Sequence, residues 1–314
     1  MRPAFSVIFL TTLIGAGQGL FIALYVAELG ALLGAWVMPP EPYFALGCAL
    51  SLALLGAGLL ASFFHLGRPE RAWRSAAMWR SSWLSREVIA LPAFMAAVAA
   101  YGLAHHLRGA GDLTLAMGAA GLSLALLLFI CTGMIYACIQ FLQEWHTPLT
   151  VINYMLFGCA SGFLLGTAWA AAQAPALAGA MALWTAGFTL TALITRGAAL
   201  ARNARLRPKS TLQTAIGVKH PRIAQKSQGF VGGSFNTREF FHARSIVWLR
   251  AAKWGFMLLV FPLPLALLAA GTALASWPLL SAAFLLQYLG LLIERWFFFA
   301  QARHPQNLYY QAIS

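Results

Sequence analysis

The chain has 314 residues, of which 61% are hydrophobic and 9% are charged, and its formal net charge is +13. Soluble domains carry about 25% charged residues, so this composition excludes an ordinary soluble domain. A membrane-spanning helix needs roughly 20 apolar residues, so the length has room for about seven to nine spans. The sequence therefore predicts an all-α, polytopic membrane protein.

The first apolar run continues far beyond the roughly 7–15 apolar residues of a signal peptide, and no cleavage pattern follows it, so a retained first span is expected. Apolar length and helix breakers predict a single integral-membrane domain over residues 1–314, a bundle of eight transmembrane helices. The predicted spans are 5–37, 43–66, 87–107, 113–139, 150–172, 174–200, 246–270 and 277–300.

Glycines at four-residue spacing predict close packing between some of these helices, because small residues let helix backbones approach. The glycines concerned are Gly15 with Gly19, Gly30 with Gly34, and Gly158 with Gly162 and Gly166.

Basic residues are concentrated in two predicted loops. Residues 67–86 contain five arginines and residues 201–245 contain nine lysines and arginines, whereas the alternating loops have almost none, with Arg108 as the exception. The positive-inside rule then predicts a bacterial inner (cytoplasmic) membrane protein with both basic loops and both termini in the cytoplasm. Topology explains the charge, so no nucleic-acid partner is expected.

The 201–245 segment is predicted to be a cytoplasmic basic insertion, too short for a domain with its own core. One interpretation is a solvated arm attracted to anionic membrane lipid. The favoured interpretation is an arm that lies on a partner subunit, because its phenylalanines would otherwise be exposed apolar surface. These are Phe230, Phe235, Phe240 and Phe241.

The stretch HLGRPERAWRSAAMWRSSWLSREV, residues 65–88, holds most of the polar groups that lie near the predicted spans. Pro69 predicts the first turn of a short helix. The arginines alternate with Trp73 and Trp79, a pattern typical of headgroup depth, so the 67–86 loop is predicted to be interfacial. Ser85 is the predicted N-cap of the third span, which would place Glu87 in its first turn.

His65 ends the second predicted span and Glu87 begins the third, so both are expected at one membrane face. Converting a quinone to a quinol moves two protons with two electrons, and a histidine beside a glutamate can exchange them. Two structural alternatives stay open: an interfacial histidine that closes a span, and a helix-end glutamate paired with Arg86.

The same stretch resembles the signature of the DMSO reductase anchor subunit family (DmsC type), and the resemblance covers the whole eight-span plan. Near the C-terminus, LGLLIERWFFF resembles the family's Gly-Glu-x-x-Gly-Arg segment, although here Glu294 and Arg295 are adjacent and the glycines are absent. The 201–245 insertion is similar to that of the longer anchors in the family.

This resemblance implies a quinone-reactive subunit, using menaquinone or ubiquinone, with no redox centre of its own. Such an anchor docks an iron–sulfur subunit, which exchanges electrons with a molybdenum catalytic subunit that either oxidises sulfite or reduces S- or N-oxides. The family's quinol-site histidine and glutamate map onto His65 and Glu87. The predicted quinone-binding set is His65, Arg68, Trp83, Arg86, Glu87, Glu294 and Arg295.

Other polar and sulfur-containing residues are given lesser roles. The four cysteines lie in apolar runs without a C-x-x-C spacing, which predicts buried packing and no iron–sulfur cluster. The remaining histidines, His105 among them, lie at span ends or in loops, so no haem and no metal site are expected. Glu28 is either an intramembrane functional carboxylate or an interfacial one. Gln18 is expected either to line a cavity or to bond across helices.

Two other function classes compete with the quinone-reactive anchor. A secondary transporter or proton channel would use Glu28, Glu87 and Glu294, but the internal repeats typical of transporters are not seen. A purely structural anchor would bind no quinone. The sequence does not specify the substrate of the soluble subunits or the direction of electron flow.

Overall fold

The computed structural model describes residues 4–64, 66–227 and 245–309, and within these ranges every regular element is helical. Eight helical segments are long and apolar enough to cross a membrane, which confirms the predicted eight-span, all-α architecture. In chain order the α-helices are α1 (Phe5–Leu32), α2 (Glu41–Phe63), α3 (Trp83–Arg108), α4 (Asp112–Ala137), α5 (Pro148–Gln173), α6 (Pro175–Ala204), α7 (Leu212–Ile216), α8 (Ile246–Val260), α9 (Pro262–Ala273) and α10 (Trp277–Ala300), and two 3-10 helices cover Pro69–Ala76 and Pro305–Tyr309. Helices α8 and α9 together form the seventh span.

Helix α1 runs through the middle of the bundle, where it packs on α2, α4, α5 and α10. Its contact with α5 is made through glycines: a Cβ atom on Gly19 would overlap the carbonyl group of Gly158, and one on Gly162 would overlap the backbone of Gly19. The small-residue spacing in these two helices therefore predicted their close packing correctly.

Helix α1 ends at Leu32, five residues before the predicted end, and the second glycine pair has another role. Gly34 takes a left-handed φ of 74° just after the C-cap, as helix-terminating glycines often do. The chain then turns back, and the Trp36 indole nitrogen donates a hydrogen bond to the Ala27 carbonyl at 2.8 Å. Gly30 makes room for this indole ring. The prediction that Gly30 and Gly34 form a helix–helix contact was wrong.

The seventh span is broken at Phe261, between α8 and α9. Pro262 and Pro264 lack backbone N–H groups, so Pro264 leaves the Val260 carbonyl without its helical donor. The buried side chain of Gln287 replaces this donor, because its amide nitrogen bonds the Val260 carbonyl at 3.1 Å. The carbonyl group that the break leaves free inside the membrane span is therefore hydrogen-bonded within the protein.

Because the eight spans alternate in direction, segments 66–82, 138–147 and 205–227 lie at one end of the bundle, here called the basic end. The C-terminal 3-10 helix contacts α7 there. The 228–244 part of the predicted insertion, with its four phenylalanines, lies outside the described residues.

The cysteines only partly follow the prediction of buried packing. Cys48, Cys131 and Cys159 are buried free thiols, as expected. Cys138 is exposed, because α4 ends at Ala137 and Cys138 is the C-cap that leads into the 138–147 loop.

Candidate functional site

Glu87 lies in the second turn of α3 and faces the interior of the bundle. The N-cap is Ser82, whose hydroxyl accepts a hydrogen bond from the Ser85 backbone N–H, so the prediction of Ser85 as the cap was wrong. The earlier start makes Glu87 the fifth helical residue, and it is only 8% exposed. Its carboxyl group accepts a hydrogen bond from the Thr132 hydroxyl on α4. A buried carboxyl group with one side-chain partner is a candidate for proton exchange.

A small cavity of about 10 Å³ lies beside Glu87. Its lining residues come from α1, α3, α4 and α5: Thr11, Ile14, Gly15, Gln18, Glu87, Phe129, Thr132 and Tyr154. Gln18 also donates a hydrogen bond across the bundle to the Ala125 carbonyl at 2.9 Å, so both expectations for this residue were correct. The lining combines apolar walls with a few polar groups, as small-molecule sites commonly do.

His65 lies outside the described residues, but its neighbours Phe64 and Leu66 lie at the basic end, where α2 ends. Arg68 is exposed and occupies the N-cap position of the 3-10 helix, where its side chain makes no capping hydrogen bond. Arg86 turns toward the loop, where its guanidinium group donates to the Trp79 and Arg80 carbonyls at 2.9 and 2.8 Å. It also lies over the Trp83 ring, 4.2 Å from the ring centre. Arg68, Trp83 and Arg86 thus lie outside the cavity lining, and their contact with quinone stays a prediction.

The loop before α3 presents alternating arginine and tryptophan side chains on the surface. Arg74 lies over the Trp73 ring and Arg80 over the Trp79 ring, at 5.4 and 5.5 Å from the ring centres. Both rings are mostly exposed. These cation–π pairs leave the guanidinium groups open to anionic groups, either lipid headgroups or acidic side chains.

Glu294 and Arg295 of α10 belong to a second buried polar cluster, together with Arg196 of α6. The Arg196 Nη2 atom lies 2.6 Å from Glu294 Oε1, and Arg295 Nε lies 3.5 Å from Glu294 Oε2. All three side chains are at most 4% exposed. Sequence reasoning missed Arg196, although the signal was present, since it is an arginine within a predicted span.

Tyr154 contacts this charged cluster and also lines the Glu87 cavity. The Arg295 guanidinium carbon lies 3.7 Å from the centre of the Tyr154 ring, and the same tyrosine lines the cavity. Glu87 and Arg295, predicted to serve one site, are therefore connected through one residue, Tyr154.

Glu28 is at the other end of the bundle, in a third cluster. It is fully buried and accepts hydrogen bonds from the Tyr101 hydroxyl, at 2.7 Å, and from the Thr114 hydroxyl. The His105 Nε2 atom lies 3.3 Å from the same carboxylate. Helices α3 and α4 enclose Glu28 close to their ends, which shows its burial in the protein but not its depth in the membrane, so both interpretations of Glu28 stay predictions. Sequence reasoning also missed this role of His105, which was considered only as a haem ligand and set aside because it lies near a span end.

A larger groove of about 510 Å³ lies on the outside of α6, away from all three clusters. Its lining is almost entirely apolar: Trp36, Ala180, Leu183, Trp184, Gly187, Phe188 and Thr191. Without an ionisable group it offers no proton chemistry, so the Glu87 cavity is the better candidate site despite its smaller volume.

The fold and its buried polar groups define a helical integral-membrane protein with a candidate proton-exchange site near one membrane face. The family model described as DMSO reductase anchor subunit (DmsC) matches residues 1–310, and the chain belongs to this family. The chain is also 54% identical to a subunit of the sulfite dehydrogenase of Allochromatium vinosum, over the full length of both proteins. The family resemblance predicted from residues 65–88 is confirmed, and the chain is a membrane anchor subunit of an oxidoreductase complex.

Proposed function

We propose that this anchor reduces quinone at the Glu87 cavity with electrons from an iron–sulfur subunit, which receives them from a molybdenum subunit that oxidises sulfite. The proposal is carried by one observation: the carboxyl group of Glu87 is buried beside a cavity at the basic end, next to the arginine-rich loop. The 54% identical relative is named as part of a sulfite dehydrogenase, which supports sulfite as the electron source. Reduction of S- or N-oxides by quinol is the alternative within the same family.

The proton balance assigns a role to each proposed residue. Sulfite and water give sulfate, two electrons and two protons on the soluble subunits, and quinone takes up two electrons and two protons to become quinol. Glu87 would give a proton to one quinone oxygen and regain it from the basic end. His65 precedes the loop at the same end and would serve the second oxygen.

The cavity must widen before a quinone can enter. A volume of about 10 Å³ is room for about one water molecule, whereas a quinone ring needs several times more. The neighbouring loop of residues 66–82 lies on the surface and packs mainly on α3, so it can move with little disturbance of the bundle. Quinone binding is therefore proposed to displace this loop and the side chains beside Glu87.

The proposed docking site of the soluble partners and the proposed membrane orientation both concern the basic end of the bundle. The iron–sulfur subunit would dock on the arginine-rich loop, because electron transfer to the cavity needs a short path. The charge of the basic loops supports a location of this end in the cytoplasm, at a bacterial inner membrane. Quinone, either menaquinone or ubiquinone, is the substrate in this scheme, and the anchor itself holds neither haem nor an iron–sulfur cluster.

Glu87→Gln tests the proposal, because it keeps the shape of the side chain and removes its proton exchange. The purified complex should reduce quinone about a hundredfold more slowly or worse, while sulfite oxidation with an artificial electron acceptor stays normal. Glu28→Gln is the matched control, a buried carboxyl group at the other end, and should keep quinone turnover. His65→Arg should resemble Glu87→Gln. Normal quinone turnover in assembled Glu87→Gln complex would show that quinone is reduced without this carboxyl group, and would refute the assignment of the site.

A further inference from the structure

We infer that the Tyr154 hydroxyl group donates a hydrogen bond to a carbonyl oxygen of the quinone. This inference rests on the proposed function and adds a binding residue that the sequence did not indicate. Tyr154 lies near the start of α5 and lines the cavity together with Glu87.

The Tyr154 hydroxyl group is buried but poorly satisfied. It lies near the Tyr136 hydroxyl group without a well-formed hydrogen bond. Buried tyrosine hydroxyl groups usually have a partner, and an exception calls for an explanation. A ligand that enters the cavity beside it would supply the missing acceptor.

Each of the other donor side chains that line the cavity already donates one hydrogen bond within the protein. The Thr132 hydroxyl group donates to Glu87, and the Gln18 amide nitrogen donates to the Ala125 carbonyl. The Thr11 hydroxyl group bonds back to the Val7 carbonyl at 3.0 Å. Among the described lining residues, Tyr154 is therefore the one whose donor side chain makes no hydrogen bond within the protein, which leaves its hydroxyl group available to a quinone oxygen.

The Tyr154 ring is also held in a fixed orientation. Tyr136 stacks on it with ring centres 5.5 Å apart and planes 14° apart, and Phe298 meets it edge-on at 5.8 Å. The positive Arg295 side chain lies 3.7 Å from the ring centre. A nearby cation makes the phenol a better donor and favours the negative charge that develops on a quinone oxygen as electrons arrive. Arg295, which the ring covers, would thus act through Tyr154.

The test is Tyr154→Phe, which removes the hydroxyl group and keeps the ring packed against Arg295. Tyr136→Phe is the matched control, since it removes the neighbouring hydroxyl group, which does not belong to the cavity lining. Both variants would be purified as whole complexes and assayed with a short-chain benzoquinone, with a short-chain naphthoquinone and with an artificial electron acceptor. Loss of one hydrogen bond should raise the quinone KM of Tyr154→Phe about three- to tenfold, with normal activity toward the artificial acceptor.

The result that supports the inference is a raised quinone KM in Tyr154→Phe and a KM within about twofold of wild type in Tyr136→Phe. An unchanged KM in Tyr154→Phe, or an equal rise in both variants, would overturn it. Glu87→Gln separates this failure from failure of the proposed function. If Glu87→Gln loses quinone turnover and Tyr154→Phe does not, only the role of Tyr154 is wrong.

Discussion

Arg196 and Glu294 form an ion pair of 2.6 Å inside the bundle, between helices that are more than 60 residues apart in the chain. Arg295 lies beside the same carboxylate, so two arginines face one glutamate. The remaining positive charge lies against the Tyr154 ring, and Tyr154 also lines the Glu87 cavity. A carboxylate at Glu87 would balance it, so the two buried sites are expected to depend on each other electrostatically.

Arg196→Met should destabilise the anchor, because it leaves Glu294 with Arg295 alone. Loss of a sole buried partner costs about 3–5 kcal/mol, and the retained Arg295 should keep the cost below that range. The measurement is the thermal unfolding midpoint of the purified complex in detergent. Arg250→Met on the exposed surface of α8 removes the same charge and should leave the midpoint unchanged. Equal midpoints for the two variants would assign the ion pair no role in stability.

Gly162→Ala should prevent normal packing of α5 on α1. An alanine Cβ at this position overlaps the backbone of Gly19 and Leu20, and a backbone clash cannot be relieved by turning a side chain. Gly187→Ala is the matched control, because no atom lies within 4 Å of its Cβ position, and it should be stable. The yield of folded anchor by size-exclusion chromatography in detergent measures both. A normal yield of Gly162→Ala would contradict the backbone contact.

The eight spans could be predicted because apolar length alone defines a membrane helix, but the details of their ends could not. Residues 33–37 are as apolar as the helix before them, yet Gly34 turns the chain and Trp36 packs back on α1. Ser82 and Ser85 are equally good caps by residue type, and only the local backbone decides between them.

The candidate site was predicted in part, as far as residues of one sequence stretch could define it. Glu87 stood out because it follows an arginine-rich loop, whereas Thr132, Gln18 and Tyr154 come from three other helices. Their meeting depends on the rotation of each helix about its axis. With apolar residues on all sides of most spans, the sequence carries little information on that rotation.

Charge reversal in the loop before α3 should release the soluble subunits. Arg71→Glu, Arg74→Glu and Arg80→Glu each place a negative charge where the proposed partner meets an exposed guanidinium group. The loss should be clear at physiological salt, where surface charges act over about 8 Å, and should grow as the salt concentration is lowered, because salt screens exposed charges. Co-purification at several salt concentrations measures it. Arg108→Glu, exposed at the other end of the bundle, is the control and should keep both subunits. If the loop variants also keep them, docking occurs elsewhere.

The last prediction concerns which side of the membrane carries the basic end. The test uses a variant in which Cys138 is replaced by serine, and a cysteine is then added at either Ser227 or Ser276. The two positions report on opposite ends of the bundle, because Ser227 follows α7 in the basic insertion and Ser276 lies between α9 and α10. An impermeant thiol reagent added to intact cells should label Ser276→Cys and leave Ser227→Cys unlabelled. Both should react after the cells are opened, which checks that each thiol is accessible. Labelling of Ser227→Cys in intact cells would reverse the topology. The arginine-rich loop, the Glu87 cavity and the sulfite-oxidising subunits would then face outward, and protons for quinone reduction would come from that side.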